Sequence, residues 1–163
     1  MIVRKIHQLC LSSSMRPLHK ILAQTWVNHN AKWQYRLWKE EEVQELLLVY
    51  FSNLFSYCQV LPEQHKIHIY KYAILFYEGG VVASIDKECT MPIEEMIDIS
   101  QSFYVSDEQG IMASSRGHPI CERLLSEIGM ILDQYGILDE YADNEFGERI
   151  IKEMIKEMPK LKP

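Results

Sequence analysis

No stretch of this chain is apolar for long enough to cross a bilayer. A run such as Leu46 to Phe51 falls far short of the about 20 residues a spanning helix needs. The first residues, Met1 to Leu11, are interrupted by Arg4, Lys5 and His7, so they lack the unbroken apolar segment of a secretory leader. Cysteine is sparse. The four residues Cys10, Cys58, Cys89 and Cys121 are widely spaced with no Cys-X-X-Cys pair, which argues against a metal knuckle, a redox pair or a disulfide framework and for reduced, mostly buried thiols. Basic excess is lacking too: 17 Lys and Arg face 23 Asp and Glu, for a formal net charge of −6, so no broad phosphate-neutralising surface is expected and no nucleic-acid partner. The expectation is a soluble, cytoplasmic protein without a transmembrane segment. Internal repeats and low-complexity linkers are absent as well.

What is present is a chain of 163 residues, 47% hydrophobic and 25% charged, enough for one compact domain over residues 1–163. Apolar residues cluster from Ile2 to Leu11 ahead of Ser12-Ser13-Ser14, as in a short buried strand entering a polar loop. Leu18, Ile21, Leu22, Thr25 and Trp26 recur at helical spacing behind Pro17, and Asn28 to Asn30 reads as the stop. Trp33 to Trp38 suits a second strand, and Glu40-Glu41-Glu42 leads into an apolar helix from Val43 to Tyr57. A helix over 63–77 is closed by Gly79-Gly80 and followed by a strand over 81–86. Beyond Pro92 come a short amphipathic piece at 93–97, strands at 102–105 and 110–113, a helix from His118-Pro119 to about Tyr135, and a polar helical tail over 144–158. Alternating helices and strands imply an α/β fold. Trp26, Trp33 and Trp38 are expected to pack as scaffold rather than to stack on a ligand.

Asp86 is the residue of most chemical interest. A carboxylate at the C-terminal end of a strand lies where α/β sheets place ligands, and it offers the oxygen donor a hard divalent cation prefers. Taken alone, an Asp followed by Lys87 and Glu88 after a strand reads more readily as a solvated turn residue. Gly79-Gly80 lacks the further glycines and lysine of a phosphate-binding loop. His65 and His68 share a helix face but have no third ligand at suitable spacing. Ser114, Ser115 and His118 are neighbours without a nucleophile-elbow motif around them.

Four segments, in order, resemble the glycosyltransferases with an Asp-X-Asp sugar-binding region, the group that includes fungal outer-chain mannosyltransferases and bacterial capsule-synthesis enzymes. Arg4-Lys5-Ile6-His7-Gln8 is similar to that family's opening strand. Thr25-Trp26, then Asn30 to Trp38, is similar to its Ser-Trp, Asn-Pro and Tyr-X-Leu-Trp segments. Lys71 to Asp86, with Tyr72, Gly79-Gly80 and Ser84-Ile85-Asp86, resembles Arg-Tyr, a helix, and Gly-Gly-X-Tyr-X-Asp-X-Asp. Ile111 to Pro119 resembles a later segment with small residues and His-Pro. The matches cover a core of residues 4–130.

The resemblance implies a GT-A-like (Rossmann-like) nucleotide-sugar-binding domain with a mixed, mostly parallel central sheet flanked by helices. It implies transfer of a sugar from a nucleotide-diphosphate donor to a glycan or other hydroxyl acceptor, with Mn²⁺ or Mg²⁺ held by Asp86. The donor-binding residues it implies are His7, Gln8, His68, Lys71, Tyr72, Ser84 and Asp86. Several of these depart from the family pattern: Ser84 replaces the first motif Asp, Val82 an aromatic, Cys10 a Trp, and His68 and Lys71 an Asp and an Arg. Lys71 keeps the charge but loses the bidentate fork, and His68 supplies no anionic acceptor. The alternative is therefore a degenerate, catalytically inactive relative serving as a binding or scaffold module.

Overall fold

The structure, a computed structural model, describes residues 1–106 and 108–135; the tail expected as a helix over 144–158 lies outside them. The chain begins with strand β1 (Lys5–Cys10), helix α1 (Pro17–His29) and strand β2 (Gln34–Lys39). It continues through α2 (Glu40–Tyr50), α3 (Ser52–Cys58), α4 (Glu63–Glu78) and β3 (Gly80–Ala83). The short helix α5 (Ile93–Met96), strands β4 (Phe103–Ser106) and β5 (Ile111–Ser114), and helix α6 (Pro119–Tyr135) follow. The five strands form one sheet in the order β2-β1-β3-β5-β4.

Strand β1 pairs in parallel with both β2 and β3, whereas β5 runs antiparallel to β3 and to β4. The sheet is thus evenly mixed, not mostly parallel as expected. The physical reason is the short connection between β4 and β5, which can join antiparallel neighbours but not a parallel pair. Two apolar layers cover the sheet. Residues of α1 and α5 pack with Ile6, Val81, Ala83, Ile111 and Ala113 on one face. Helices α2, α3, α4 and α6 pack with Leu9, Val82 and Met112 on the other. Successive residues of β3 serve opposite layers, as strand periodicity demands, and all four are buried.

Two expected boundaries move. The helix expected over 43–57 is split at Phe51, whose φ of −134° and ψ of 56° lie outside helical space. The strand expected over 81–86 ends at Ala83, and Ile85 and Asp86 belong to a turn in which Lys87 N–H donates to the Ser84 carbonyl at 3.3 Å. The scaffold expectation for the tryptophans agrees with their burial: Trp26, Trp33 and Trp38 are 1%, 8% and 1% exposed. The cysteines are all free, with Cys58, Cys89 and Cys121 buried and Cys10 half-buried. Burial pushes the Cys58 thiol up to about 12 and that of Cys121 to about 11, so both are protonated packing residues.

One buried polar group ties the centre together. His7 of β1 is 1% exposed; its Nε2 lies 2.9 Å from the Gly79 carbonyl, and its Nδ1 accepts a bond from Trp38 Nε1 at 3.0 Å. Indole N–H can only donate, so Nδ1 is the acceptor and Nε2 carries the proton. The imidazole thereby joins β1, β2 and the α4–β3 turn. The two glycines of that turn have steric reasons. A Cβ on Gly79 would stand 2.6 Å from the Arg116 nitrogen, and one on Gly80 2.5 Å from the Lys5 carbonyl oxygen and 3.2 Å from His7 Nε2, with φ of +65° and +98°.

Burial holds His7 at about 4, below the ordinary 6.5. The folded state therefore binds fewer protons than the unfolded chain between these values, so stability is full above pH 6.5 and falls as pH drops toward 4. The loss amounts to about 3 kcal/mol at most. His118, also held down by burial, adds a loss of the same sign. Urea unfolding from pH 7.5 to pH 4.5 is expected to show this decline in the wild type and a shallower one in His7→Gln. Equal slopes in the two proteins would remove His7 from the account.

Candidate functional site

The end of β3, with β4, β5 and helix α4, bounds a cleft of about 180 Å³ whose lining includes His68, Lys71, Tyr72, Ser84, Gly110 and Met112. Helix geometry puts residues 68, 71 and 72 on one face, three and four positions apart. Their level follows from the element lengths. Going back 6 to 10 residues from the end of α4 at ~1.5 Å each covers roughly 9–15 Å. The four residues of β3 at ~3.3 Å each cover roughly 13 Å. The middle of α4 therefore comes level with Ser84, just past the end of β3. Tyr72 is buried and forms the floor, while His68, Lys71 and Ser84 are half-buried.

His7 and Gln8 stand behind this cleft and do not line it. Both are buried. Gln8 Nε2 donates to the Ser84 carbonyl at 3.1 Å, and its Oε1 accepts from the Tyr35 hydroxyl at 2.7 Å. Gln8 thus fixes the backbone of Ser84 from β1. The Ser84 N–H in turn donates to the Gly110 carbonyl at 2.9 Å. A Cβ on Gly110 would stand 2.9 Å from Lys87 Cγ and 3.2 Å from Ser84 Cβ, so the β4–β5 turn presses directly on the Ser84–Lys87 turn.

Asp86 is exposed at the tip of that turn and lines neither this cleft nor its neighbour. The neighbouring cleft, of about 330 Å³, is bounded by Trp26, Lys87, Glu88, Met91, Met96 and Glu108, among others. The Ser84–Lys87 turn therefore divides two clefts, with its first residue in one wall and its last in the other. The β4–β5 connection does the same, giving Ser106 and Gly110 to the first cleft and Glu108 and Gln109 to the second.

The segment after Asp86 is pegged from the far side of the sheet. Trp26 Nε1 donates to the Lys87 carbonyl at 2.9 Å, and Thr25 Oγ1 accepts from Cys89 N–H at 2.8 Å. Asn30 Oδ1 accepts from Ile93 N–H at 2.8 Å while its Nδ2 donates to the Trp26 carbonyl at 2.9 Å. Trp33 Nε1 and Arg4 Nε both donate to Glu94 Oε1 at 3.0 Å. The sequence marks Thr25, Trp26, Asn30 and Trp33 as helix, helix-stop or scaffold positions and as members of a matching pattern. Their hydrogen-bonding task, 61 to 64 positions along the chain, carries no local signal.

Other grouped residues separate on inspection. His118 Nδ1 accepts from Ile120 N–H at 3.2 Å, capping the first turn of α6, and its Nε2 lies 3.2 Å from Ser102 Oγ. Ser114 Oγ donates to the Ser115 carbonyl. Neither Ser114 nor Ser115 is paired with His118, and because Nδ1 accepts, Nε2 carries the proton and donates to Ser102 Oγ, so the imidazole is not placed as a base for that serine. Among the described residues, no three His, Cys, Asp or Glu side chains gather as a metal-binding group. Asp86 contributes one exposed carboxylate, a donor set that fits a cation only if phosphate oxygens and water complete its shell, as is usual for Mg²⁺.

No protein-family model matches the chain, and no curated protein matches it in sequence. Among solved structures, it is similar to one described as the PaToxG glycosyltransferase. The TM-score is 0.58 at 16% identity, over 82% of this chain and 62% of that one. The chain has a glycosyltransferase-like fold, and it spans less than two thirds of that structure's length. No helix among the described residues is long and apolar enough to cross a membrane.

The pegs give a direct prediction. Asn30→Ala leaves the buried Ile93 N–H and Trp26 carbonyl without the partners they now have, at about 1–3 kcal/mol for each buried group so abandoned. Denaturant unfolding of this variant is expected to show a loss of at least about 2 kcal/mol. A loss below 0.5 kcal/mol, the ordinary range for surface positions, would mean that water or a rearranged loop replaces the peg.

Proposed function

We propose that the chain binds a nucleotide-diphosphate sugar and transfers its sugar to a glycan or other hydroxyl acceptor, on a GT-A-like domain. The observation that carries this reading is the gathering of His68, Lys71, Tyr72 and Ser84 around one cleft at the C-terminal end of β3. Four residues singled out by resemblance thus line a common space, in a chain whose fold is similar to a glycosyltransferase. The clefts of α/β sheets beyond the strands' carboxyl ends are where such folds take ligands.

In this reading Lys71 meets the charge of the diphosphate as a point cation, and His68 offers ring nitrogens to phosphate or sugar oxygens. The Tyr72 ring supplies an apolar floor. Ser84, its backbone held by Gln8 and Gly110, presents a hydroxyl to the donor. A divalent cation, Mn²⁺ or Mg²⁺, would be held through Asp86 and would offset negative charge on the departing diphosphate. His7 supports the site indirectly, through the β1–β3 alignment on which Gln8 depends.

The degenerate-module reading rests on a specific observation too: Ser84 brings no charge to the turn, which leaves Asp86 its only carboxylate before Glu88. Titration with a panel of nucleotide sugars, with and without Mn²⁺, separates the two readings by thermal shift, since a ligand that binds only the folded state raises its stability. Metal-dependent stabilisation is expected in the wild type. Asp86→Asn is expected to abolish it without altering the fold, and Ser84→Asp to tighten Mn²⁺ binding. No nucleotide response in the wild type and none gained by Ser84→Asp would replace the enzyme with the binding module.

A further inference from the structure

We propose that helix α1 docks on an anionic membrane surface, with Leu18 and Ile21 entering the lipid interface and Arg16 and Lys20 meeting the charge of the headgroups. This contact is independent of the transferase reading.

Charge is segregated along the chain. The first 39 residues hold seven of the 17 Lys and Arg and none of the 23 Asp and Glu. The net charge of −6 thus conceals a wholly basic β1-α1-β2 unit. The fold divides these seven cations into two groups. Arg4, Lys5 and Arg36 are ion-paired with Glu94, Glu78 and Glu42. Arg16, Lys20, Lys32 and Lys39 are exposed and form no ion pair among the described residues. Arg16 and Lys20 stand at the first turns of α1.

Aliphatic side chains share that end of the helix. Leu18 and Ile21 are 61% and 64% exposed, and three positions apart they lie side by side on the helix surface. The buried positions of α1 are Ala23 and Trp26, so its inner side is committed to the core. No Asp or Glu occurs in the helix. The segment pegged to it from Lys87 to Ile93 brings Glu88, but the pegs are Thr25, Trp26 and Asn30, more than a helical turn beyond Lys20.

An anionic bilayer satisfies both halves of this surface. Its headgroups attract Lys and Arg, and its interface takes up aliphatic side chains. A nucleic acid would reward the cations through its phosphates and leave the aliphatic pair in water. With 13 residues, α1 is about 20 Å long and has one side held by the sheet, so it lies on the surface and does not span it. The loop from the end of β1 leads into α1, and β1 and β3 are parallel. Arg16 and Leu18 therefore lie at the edge of the sheet where β3 ends and Ser84 follows, and docking brings that edge to the membrane.

The test uses the full chain with no nucleotide or metal present. Vesicles of equimolar phosphatidylserine and phosphatidylcholine are expected to sediment the wild type, and vesicles of phosphatidylcholine alone to leave it in solution. Added salt should weaken the binding. Arg16→Gln with Lys20→Gln should weaken it at least tenfold, at about fivefold for each cation removed. Leu18→Gln with Ile21→Gln should weaken it at least tenfold as well, whereas Lys32→Gln, beyond the other end of α1, should change it less than twofold. All these side chains are exposed, and thermal unfolding checks that each variant keeps its fold. Hydrogen exchange of the wild type on the anionic vesicles, which needs no variant, should show new protection over residues 15–24. No sedimentation, equal binding to both vesicles, protection confined to other segments, or an equal loss in Lys32→Gln would each overturn the assignment. Full binding by the Leu18 and Ile21 variant, or equal affinity of the wild type for polyglutamate or single-stranded DNA, would replace the membrane with a soluble polyanion.

Discussion

A neutral imidazole sealed from water governs the geometry at the centre of this protein. With both ring nitrogens committed, His7 can keep its bonds only while Trp38, on β2, and Gly79, at the end of α4, stay within hydrogen-bond reach. A buried donor or acceptor stranded by a shift of either neighbour would cost about 1–3 kcal/mol. The Gly79-Gly80 pair makes the approach feasible, since a side chain at either position would collide with backbone. Arg36 stacks over the Trp38 ring with its guanidinium carbon 3.4 Å from the centroid, and the Lys5–Glu78 pair at 2.7 Å closes the same junction from its more exposed side. Strand register, helix end and indole position are thus one coupled setting.

The consequences run outward to the clefts. Because β1 and β3 are locked in register, Gln8 meets the carbonyl of Ser84, and Tyr35 orients Gln8 from β2. Beyond Ser84 the chain leaves the sheet and has no ladder to satisfy its backbone. Side chains of α1 and the loop after it take over that task, with Thr25, Trp26 and Asn30 meeting the backbone at Cys89, Lys87 and Ile93. Such a loop is irregular in path yet pegged at several backbone groups, which suits a loop that presents side chains at fixed positions. Gly110 then brings the β4–β5 turn against it, and the ridge between the clefts results.

Much of this architecture was legible because burial writes itself into short patterns. The apolar run at 81–83, bounded by two glycines, announced a central strand, and the spacing of α1, α4 and α6 announced helices to within a residue or two. The break at Phe51 was not legible, since Leu46 to Phe51 is apolar throughout and periodicity gives no stop. Nor was the antiparallel half of the sheet, because four-residue strands carry little sign of direction. The site divided in the same way. His68, Lys71, Tyr72 and Ser84 were named in advance through resemblance and share one cleft. His7 and Gln8, named with them, are buried and hydrogen-bonded outside its lining, to partners 27 to 76 positions distant.

On the proposed function, the turn that carries Ser84 and Asp86 has its position set by packing and its strength set by charge, and the two are separable. A single carboxylate in water attracts a divalent cation at 4 Å by about 2 kcal/mol, and a dissociation constant of 1 mM requires about 4 kcal/mol. Asp86 alone therefore cannot hold a cation at useful concentration. The cation and the diphosphate must arrive together, each raising the other's affinity by the same factor, as linkage requires. On the same proposal, Lys71 and His68 would act on the diphosphate directly and give it a foothold that owes nothing to the metal. A chain built in this way can lose a motif carboxylate at position 84 and still keep donor recognition on α4, because the braces that place the turn, from His7 through Gln8 to Asn30, bear on its backbone and not on its charge.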